Sequence, residues 1–318
     1  MEYRQLGRSG VRVSAIGIGT NQFGRKVNQA GVNEIIAAAQ DLGINFIDTA
    51  DAYTGGNSEL SLGNALKGKW DRFVLATKVY NKVGDGPNDW GASRYHIMNG
   101  IEASLRRLQS DHVDLYQIHR WDTATPIEET MRALDDLVQR GKVRYVGASA
   151  FAAWQLAQAN LLAEFRGWSP LVTIQSHYHM LEREVEREVL PYCRAHHVGF
   201  IPYFPLAGGF LTGKYRRGKG APPGSRGESS EYVQRYMTDE NYDLIEGLSA
   251  WAEEREQSMA GLALAWLLAQ PQVCSVISGV TGLQQLQQNA RAAGWSLTAE
   301  ELGSVTGILR GGAAKDLA

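Results

Sequence analysis

Asp48, Tyr53, Lys78 and His119 are side chains whose types could cooperate in moving one proton. A phenol is a poor acid at neutral pH, with an ordinary pKa of about 10. An ammonium beside it favours the phenolate and lowers that value, and a carboxylate can hold the ammonium in place. Asp48, Lys78 and Tyr53 therefore read as a relay for a tuned proton donor. His119 could orient a carbonyl oxygen or join the transfer. Protonating a carbonyl oxygen while hydride reaches its carbon is a reaction such a group suits. It offers no strong nucleophile with a dedicated base and no set of three metal ligands. Singly, a Lys or Asp at a strand end is often a solvated rim residue. Four mutually useful types on successive strand ends are a stronger signal.

Other patterns carry less. Gly208–Lys214 fits the phosphate loop of nucleotide hydrolases, but Tyr215 stands where that motif needs Ser or Thr for magnesium. Gly17 and Gly19 are followed by Gln22, so the dinucleotide fingerprint is missing. His177, His179, His196 and His197 show no third partner at zinc spacing, and no metal is expected. Cys193 and Cys274 have no CxxC partner and read as buried thiols of a reducing compartment.

The elements that must position the group follow one rhythm. Short apolar runs recur at Ala15–Gly19, Asn45–Thr49, Phe73–Lys78, Val113–His119, Val143–Ser149, Leu171–Ser176, Gly199–Tyr203 and Val273–Ser278. Helical spacing lies between them, at Val32–Leu42, Ser58–Leu66, Ser93–Leu108, Ile127–Arg140, Ala152–Leu162, Glu184–His197, Met259–Leu268 and, after the eighth run, Leu283–Arg291. Near-continuous apolar strands alternating with helices imply a parallel sheet covered by helices, and eight units favour closure. The expected fold is an α/β (β/α)₈ TIM barrel forming a single domain over 1–318. An N-terminal β-hairpin (Tyr3–Leu6, Val11–Val13) precedes it, and a long loop with an extra helical run, Asp239–Glu256, follows the seventh strand. In such a barrel, chemistry sits where strands end. Asp48, Lys78, His119, Ser149, Gln175 and Tyr203 close successive runs, with Tyr53 in the loop after Asp48.

Composition is compatible with this. The chain has 318 residues, 44% hydrophobic and 21% charged, with a net charge of −2. A barrel needs roughly 250 residues. No basic block suggests nucleic acid, no apolar run reaches the roughly 18 residues of a membrane span, and the polar opening Met1–Gln5 is unlike a secretory signal. A cytoplasmic location is the expectation.

The motifs together resemble the aldo-keto reductase superfamily. Gly43–Tyr53 with Ser58-Glu59 and Leu62-Gly63, Ala76-Thr77-Lys78, Asp114–His119 and Gly141–Ser149 match its successive signatures. Gly86–Gly91 and Ser93-Arg94 are closest to the bacterial and potassium-channel-β-like branches. The resemblance implies NADPH bound in extended form, Tyr53 as general acid tuned by Lys78 and Asp48, and His119 placing the carbonyl. It also implies that Gly19 and Thr20 line the cofactor site, that Ser149 and Gln175 hold the carboxamide and that Tyr203 stacks on the ring. The segment from Pro205, Leu206 and Gly208 to Lys214 would strap the pyrophosphate. Ser278, Gly279, Thr281, Gln285, Gln288 and Asn289 would meet the adenosine phosphate.

Two departures stand out: Ala150 replaces the usual Asn after Ser149, and Thr281 stands where many NADPH-preferring relatives carry Arg or Lys. NADPH with possible NADH use is therefore expected. Phe23, Tyr80, Trp90, Arg120 and Trp121 are the candidate substrate contacts, suited to an apolar carbonyl compound. The rival reading is a cofactor-sensing regulatory subunit of the channel-β type. A barrel glycosidase is rejected because His119 and Tyr203 stand where its two carboxylates would be needed.

Overall fold

β-branched and apolar runs become strands, and the amphipathic stretches between them become helices, in a computed structural model that describes residues 1–312. The last residues of the expected domain, 313–318, lie outside the described residues. The strands are β1 (Tyr3–Gln5), β2 (Arg12–Ser14), β3 (Ile16–Gly19), β4 (Phe46–Asp48), β5 (Val74–Val79), β6 (Val113–Ile118), β7 (Val143–Ser149), β8 (Leu171–His177), β9 (Gly199–Tyr203) and β10 (Val276–Gly279). The helices are α1 (Gln29–Asp41), α2 (Asn57–Leu66), α3 (Arg94–Leu108), α4 (Ile127–Gln139), α5 (Ala153–Arg166), α6 (Val189–His196), α7 (Glu231–Gln234), α8 (Asp239–Glu253), α9 (Met259–Leu268), α10 (Leu283–Ala292) and α11 (Ala299–Gly312).

Strands β3 to β10 form one parallel sheet in the order β10-β3-β4-β5-β6-β7-β8-β9. Parallel pairing of Phe200 with Val273, with Cys274 N donating to the Phe200 carbonyl at 3.0 Å, brings β9 to the segment that leads into β10. This is the expected (β/α)₈ barrel. The β1–β2 hairpin is antiparallel, and its Leu6 and Val13 join Phe46, Ala76, Leu115 and Ile201 in a core cluster of their own. Gly7 makes that seat possible: at φ 56°, an added Cβ would lie 2.0 Å from the Val172 carbonyl oxygen. The larger core cluster lies between barrel and helices, and includes the wholly apolar, buried α9.

Some boundaries differ from the sequence expectation. The run Glu184–His197 divides into a 3₁₀ turn, Glu184–Glu186, and α6, because the Pro191 ring would clash with the Arg187 carbonyl if the helix ran through. Val273 lies in an isolated bridge and not in the last strand. α11 has no counterpart among the expected helices. The long segment after β9 is built, not loose: Phe210, Leu211, Tyr215, Val233 and Tyr236 are buried in the main core.

Candidate active site

Asp48 closes β4 and points into the barrel, 2% exposed. Its Oδ1 accepts from Gln175 Nε2 at 2.8 Å and from Gln117 Nε2 at 3.3 Å, while Oδ2 receives Lys78 Nζ at 2.5 Å. Lys78, fully buried on β5, also donates to the Thr49 carbonyl (2.8 Å) and to the Tyr53 hydroxyl (3.4 Å). A buried ammonium with this many acceptors remains charged. Burial works against it, yet Asp48 and Tyr53 together hold its pKa above the ordinary lysine value.

Tyr53 is presented by a tight turn, Tyr53–Gly56, in which Thr54, Gly55 and Gly56 all have positive φ (51°, 65° and 88°). Gly55 and Gly56 adopt this backbone without strain. Thr54 offsets its strain by donating its hydroxyl to the Phe23 carbonyl at 2.9 Å. Below the turn, Glu59 of α2 is fully buried, accepting from Thr77 (2.6 Å) and from Arg107 (2.7 Å). The net effect on the phenol differs from the expectation. Burial raises the Tyr53 pKa above 10.0, and the opposing pull of Lys78 does not overcome it. Tyr53 therefore holds its proton at neutral pH beside a fixed ammonium.

His119 follows β6 directly, its ring edge-on to Tyr53 at 5.8 Å and 73°. Burial, then the charges of Lys78 and Arg120, depress its pKa to about 3, so the ring is neutral. The four expected residues thus meet at one end of the barrel. Sequence reasoning missed two neighbours. Gln117 is a fully buried polar residue two positions before His119 in the same run, which was a readable signal. Asn81, within 2.9 Å of His119 Nδ1, carried none beyond its place in the loop after Lys78.

The candidate cofactor residues divide in two. Ser149 and Gln175 are adjacent in register on β7 and β8, and Gln175 gives its side-chain N–H to Asp48 while its backbone carbonyl accepts from Ala150 N at 2.9 Å. Tyr203 is stacked by His177 at 5.3 Å and 4°. Gly208 and Gly209 have φ of 67° and 107°, the Gly209 N–H donates to the Leu206 carbonyl at 2.7 Å, and Lys214 lies over the pair, its Nζ 3.2 Å from where a Cβ on Gly209 would be. Lys214 forms no ion pair among the described residues, so backbone and charge suit a phosphate. The N-terminus of α10 begins at Gly282 without a side-chain cap, and Gly279 and Gln288 nearby are exposed. The chain's own groups fit a dinucleotide. Several expected contacts are committed elsewhere: Thr281 donates to Gln285 Oε1 (2.7 Å from N), Asn289 to Ser278 (3.0 Å), and Thr20 is fully buried with its hydroxyl on the Asp48 carbonyl (3.0 Å). Pro205 and Leu206 lead into the glycine pair, and Gly19 ends β3 beside Gly279.

Of the substrate candidates, Phe23 is corrected: it is fully buried as part of the main apolar core and leaves no surface for a substrate. Tyr80 and Trp90 meet edge-on at 6.3 Å and line a cleft of ≈ 430 Å³ that also includes Asn81. Trp121 meets Phe151 and Trp154 at 5.1 and 5.5 Å, and Arg120 is exposed. His177 and His179 are explained by hydrogen bonds to Tyr232 (2.5 Å) and Tyr236 (3.2 Å).

A sequence model described as the Aldo/keto reductase family matches residues 15–310. The chain belongs to that family. Its relatives include an uncharacterized oxidoreductase, YrpG, of Bacillus subtilis (strain 168), 38% identical over 98% of this chain and 97% of that protein. A probable voltage-gated potassium channel subunit beta of Arabidopsis thaliana is 38% identical over 92% of this chain and 91% of its own length. Versiconal hemiacetal acetate reductase of Aspergillus parasiticus is 34% identical, covering 95% of both chains. This aldo/keto reductase is thus an oxidoreductase of a family that uses nicotinamide cofactors, in the branch that contains both bacterial oxidoreductases and channel β subunits. Among its described residues, no helix is long and apolar enough to cross a membrane, and no group of three or more His, Cys, Asp or Glu could hold a metal.

Proposed function

We propose that the chain reduces aldehydes or ketones to alcohols, with NADPH as the preferred reductant. One observation carries this reading: a protonated tyrosine touching a buried, carboxylate-held ammonium, beside a neutral histidine. A bound nicotinamide supplies the hydride. Tyr53 supplies the proton to the developing alkoxide oxygen, and Lys78 stabilises the tyrosinate left behind, while Asp48 holds Lys78 in reach. His119, being neutral, can hold the carbonyl oxygen without competing for the proton. Ser149 and Gln175 orient the carboxamide, Tyr203 supports the ring, and the Gly208–Lys214 backbone and ammonium take the pyrophosphate. Thr281 brings no charge to a 2′-phosphate and already gives its hydroxyl to Gln285 Oε1, so the preference for NADPH over NADH is modest. The aromatic pairs Tyr80–Trp90 and Trp121–Phe151 favour a carbonyl compound with a flat apolar body.

The test is NADPH oxidation against a panel of aldehydes, ketones and sugar aldehydes. Tyr53→Phe should abolish turnover with NADPH binding largely intact, and kcat/KM should favour NADPH over NADH. Undiminished turnover in Tyr53→Phe would sink the mechanism; a clear NADH preference would overturn the cofactor assignment. The likeness to a protein named as a channel β subunit favours a second reading, a cofactor sensor with little turnover. Tight NADPH binding with no reduction across the panel would select it.

A further inference from the structure

A neutral histidine carries one proton on two nitrogens, and which nitrogen holds it decides whether the ring donates or accepts at the substrate. His119 Nδ1 lies 2.9 Å from Asn81 Nδ2. With the amide nitrogen facing the ring, Asn81 donates, so Nδ1 accepts and the proton sits on Nε2; the flipped amide would present its carbonyl oxygen and put the proton on Nδ1. We propose that Asn81 is a positioning residue that fixes His119 in its Nε2–H tautomer, making the ring a hydrogen-bond donor to the substrate carbonyl oxygen. This inference rests on the reductase reading above. A carboxylate or carbonyl in the same place would accept from Nδ1–H and leave Nε2 as a base; the amide N–H does the reverse.

The backbone is shaped to deliver this contact. Asn81 is the second residue after β5, and Tyr80 before it holds φ 152°, a conformation that residues with a side chain rarely adopt. The Tyr80 carbonyl accepts from Gly91 N at 2.8 Å and Val83 N donates to the Asp89 carbonyl at 3.0 Å, so the loop is tied on both sides of Asn81. That kink carries the amide across to the end of β6, where strain at a functional site is an expected expense. Burial first, then the charges of Lys78 and Arg120, disfavours the imidazolium, so the tautomer, not the charge, is what remains to be set. Asn81 also lines the Tyr80–Trp90 cleft, placing the substrate side and the histidine side of the device in one residue.

Asn81→Asp is nearly isosteric and reverses the donor. The test compares wild type, Asn81→Asp and Asn81→Ala, with histidine labelled at its ring nitrogens and read by NMR, the His119 signals being assigned by their loss in His119→Gln. The same three proteins reduce para-nitrobenzaldehyde with NADPH, and NADPH affinity is measured separately. Expected are a protonated Nε2 and bare Nδ1 in wild type. In Asn81→Asp, Nδ1 becomes protonated and kcat falls at least about tenfold, more than in Asn81→Ala, with NADPH affinity changed no more than about twofold. A wild-type Nδ1–H signal, or an Asn81→Asp protein that matches wild type in both spectrum and kcat, overturns the proposal. Failure of wild type to reduce the aldehyde would defeat the reductase reading, while the nitrogen spectrum would still decide the tautomer.

Discussion

Asp51 is the side chain in this site with the largest unmet demand. Both of its carboxylate oxygens are buried without a hydrogen-bond partner among the described residues. Burial, then the charge of Glu59, raises its pKa from 3.8 to about 7. The unfolded chain loses this proton near the ordinary value, whereas the folded chain keeps it until about pH 7. The folded state therefore binds more protons across that window, and this contribution to stability is present at low pH and lost as pH rises. Asp51→Asn removes the effect. Its stability relative to wild type should grow by on the order of 2 kcal/mol between about pH 5 and pH 7. Parallel urea denaturation at both pH values would show it, and a constant difference would refute it. Ala150 presents a simpler backbone case. It is exposed at φ 53°, a left-handed position that Asn tolerates better than Ala. Ala150→Gly should stabilise by about 1 kcal/mol, and Ala150→Asn should also tighten NADPH binding; thermal melts and titration check the two effects.

At the scale of elements, the strand rhythm and the residues closing each strand were legible because period and chemistry are local. Asp48, Lys78 and His119 could be found by reading strand ends. Phe23 could not be placed, since burial depends on what packs over it, and α11 was hidden by Gly303, Gly307 and Gly311, which weaken helical propensity. The net rise in the Tyr53 pKa was illegible too: it depends on how deeply the turn is buried, a tertiary property. The segment after β9 looked like loop, but it is fastened through α7. Tyr232 donates to or accepts from His177, which stacks on Tyr203, and Arg235 donates to Tyr236 at 2.6 Å. Tyr232→Phe would leave His177 Nε2 without its partner, a loss of about 1 kcal/mol or more. NADPH should then dissociate several-fold faster, and hydrogen exchange across 207–238 should rise; stopped-flow release rates unchanged from wild type would show that the fastening does not reach the cofactor.

Across the whole molecule, the hairpin joins regions remote in sequence. Arg4 donates to the carbonyls of Leu268 and Val273 at 2.8 and 2.9 Å, and Gly7 sits directly against β8 and β9. Gly7→Ala would force Cβ into the Val172 carbonyl at a left-handed backbone position. The loss should exceed about 2 kcal/mol, seen as a lowered melting temperature with the active-site geometry, and hence KM, little changed if the folded fraction is assayed. The pairing of β3 with β10 has a related consequence during synthesis. β3 is made long before this partner, which emerges only when residues 276–279 have left the ribosome. Between those two events, the growing sheet keeps an open strand edge, the feature most prone to pairing with other chains. The hazard for this barrel therefore lasts until β10 is made, and it ends when β10 closes on β3.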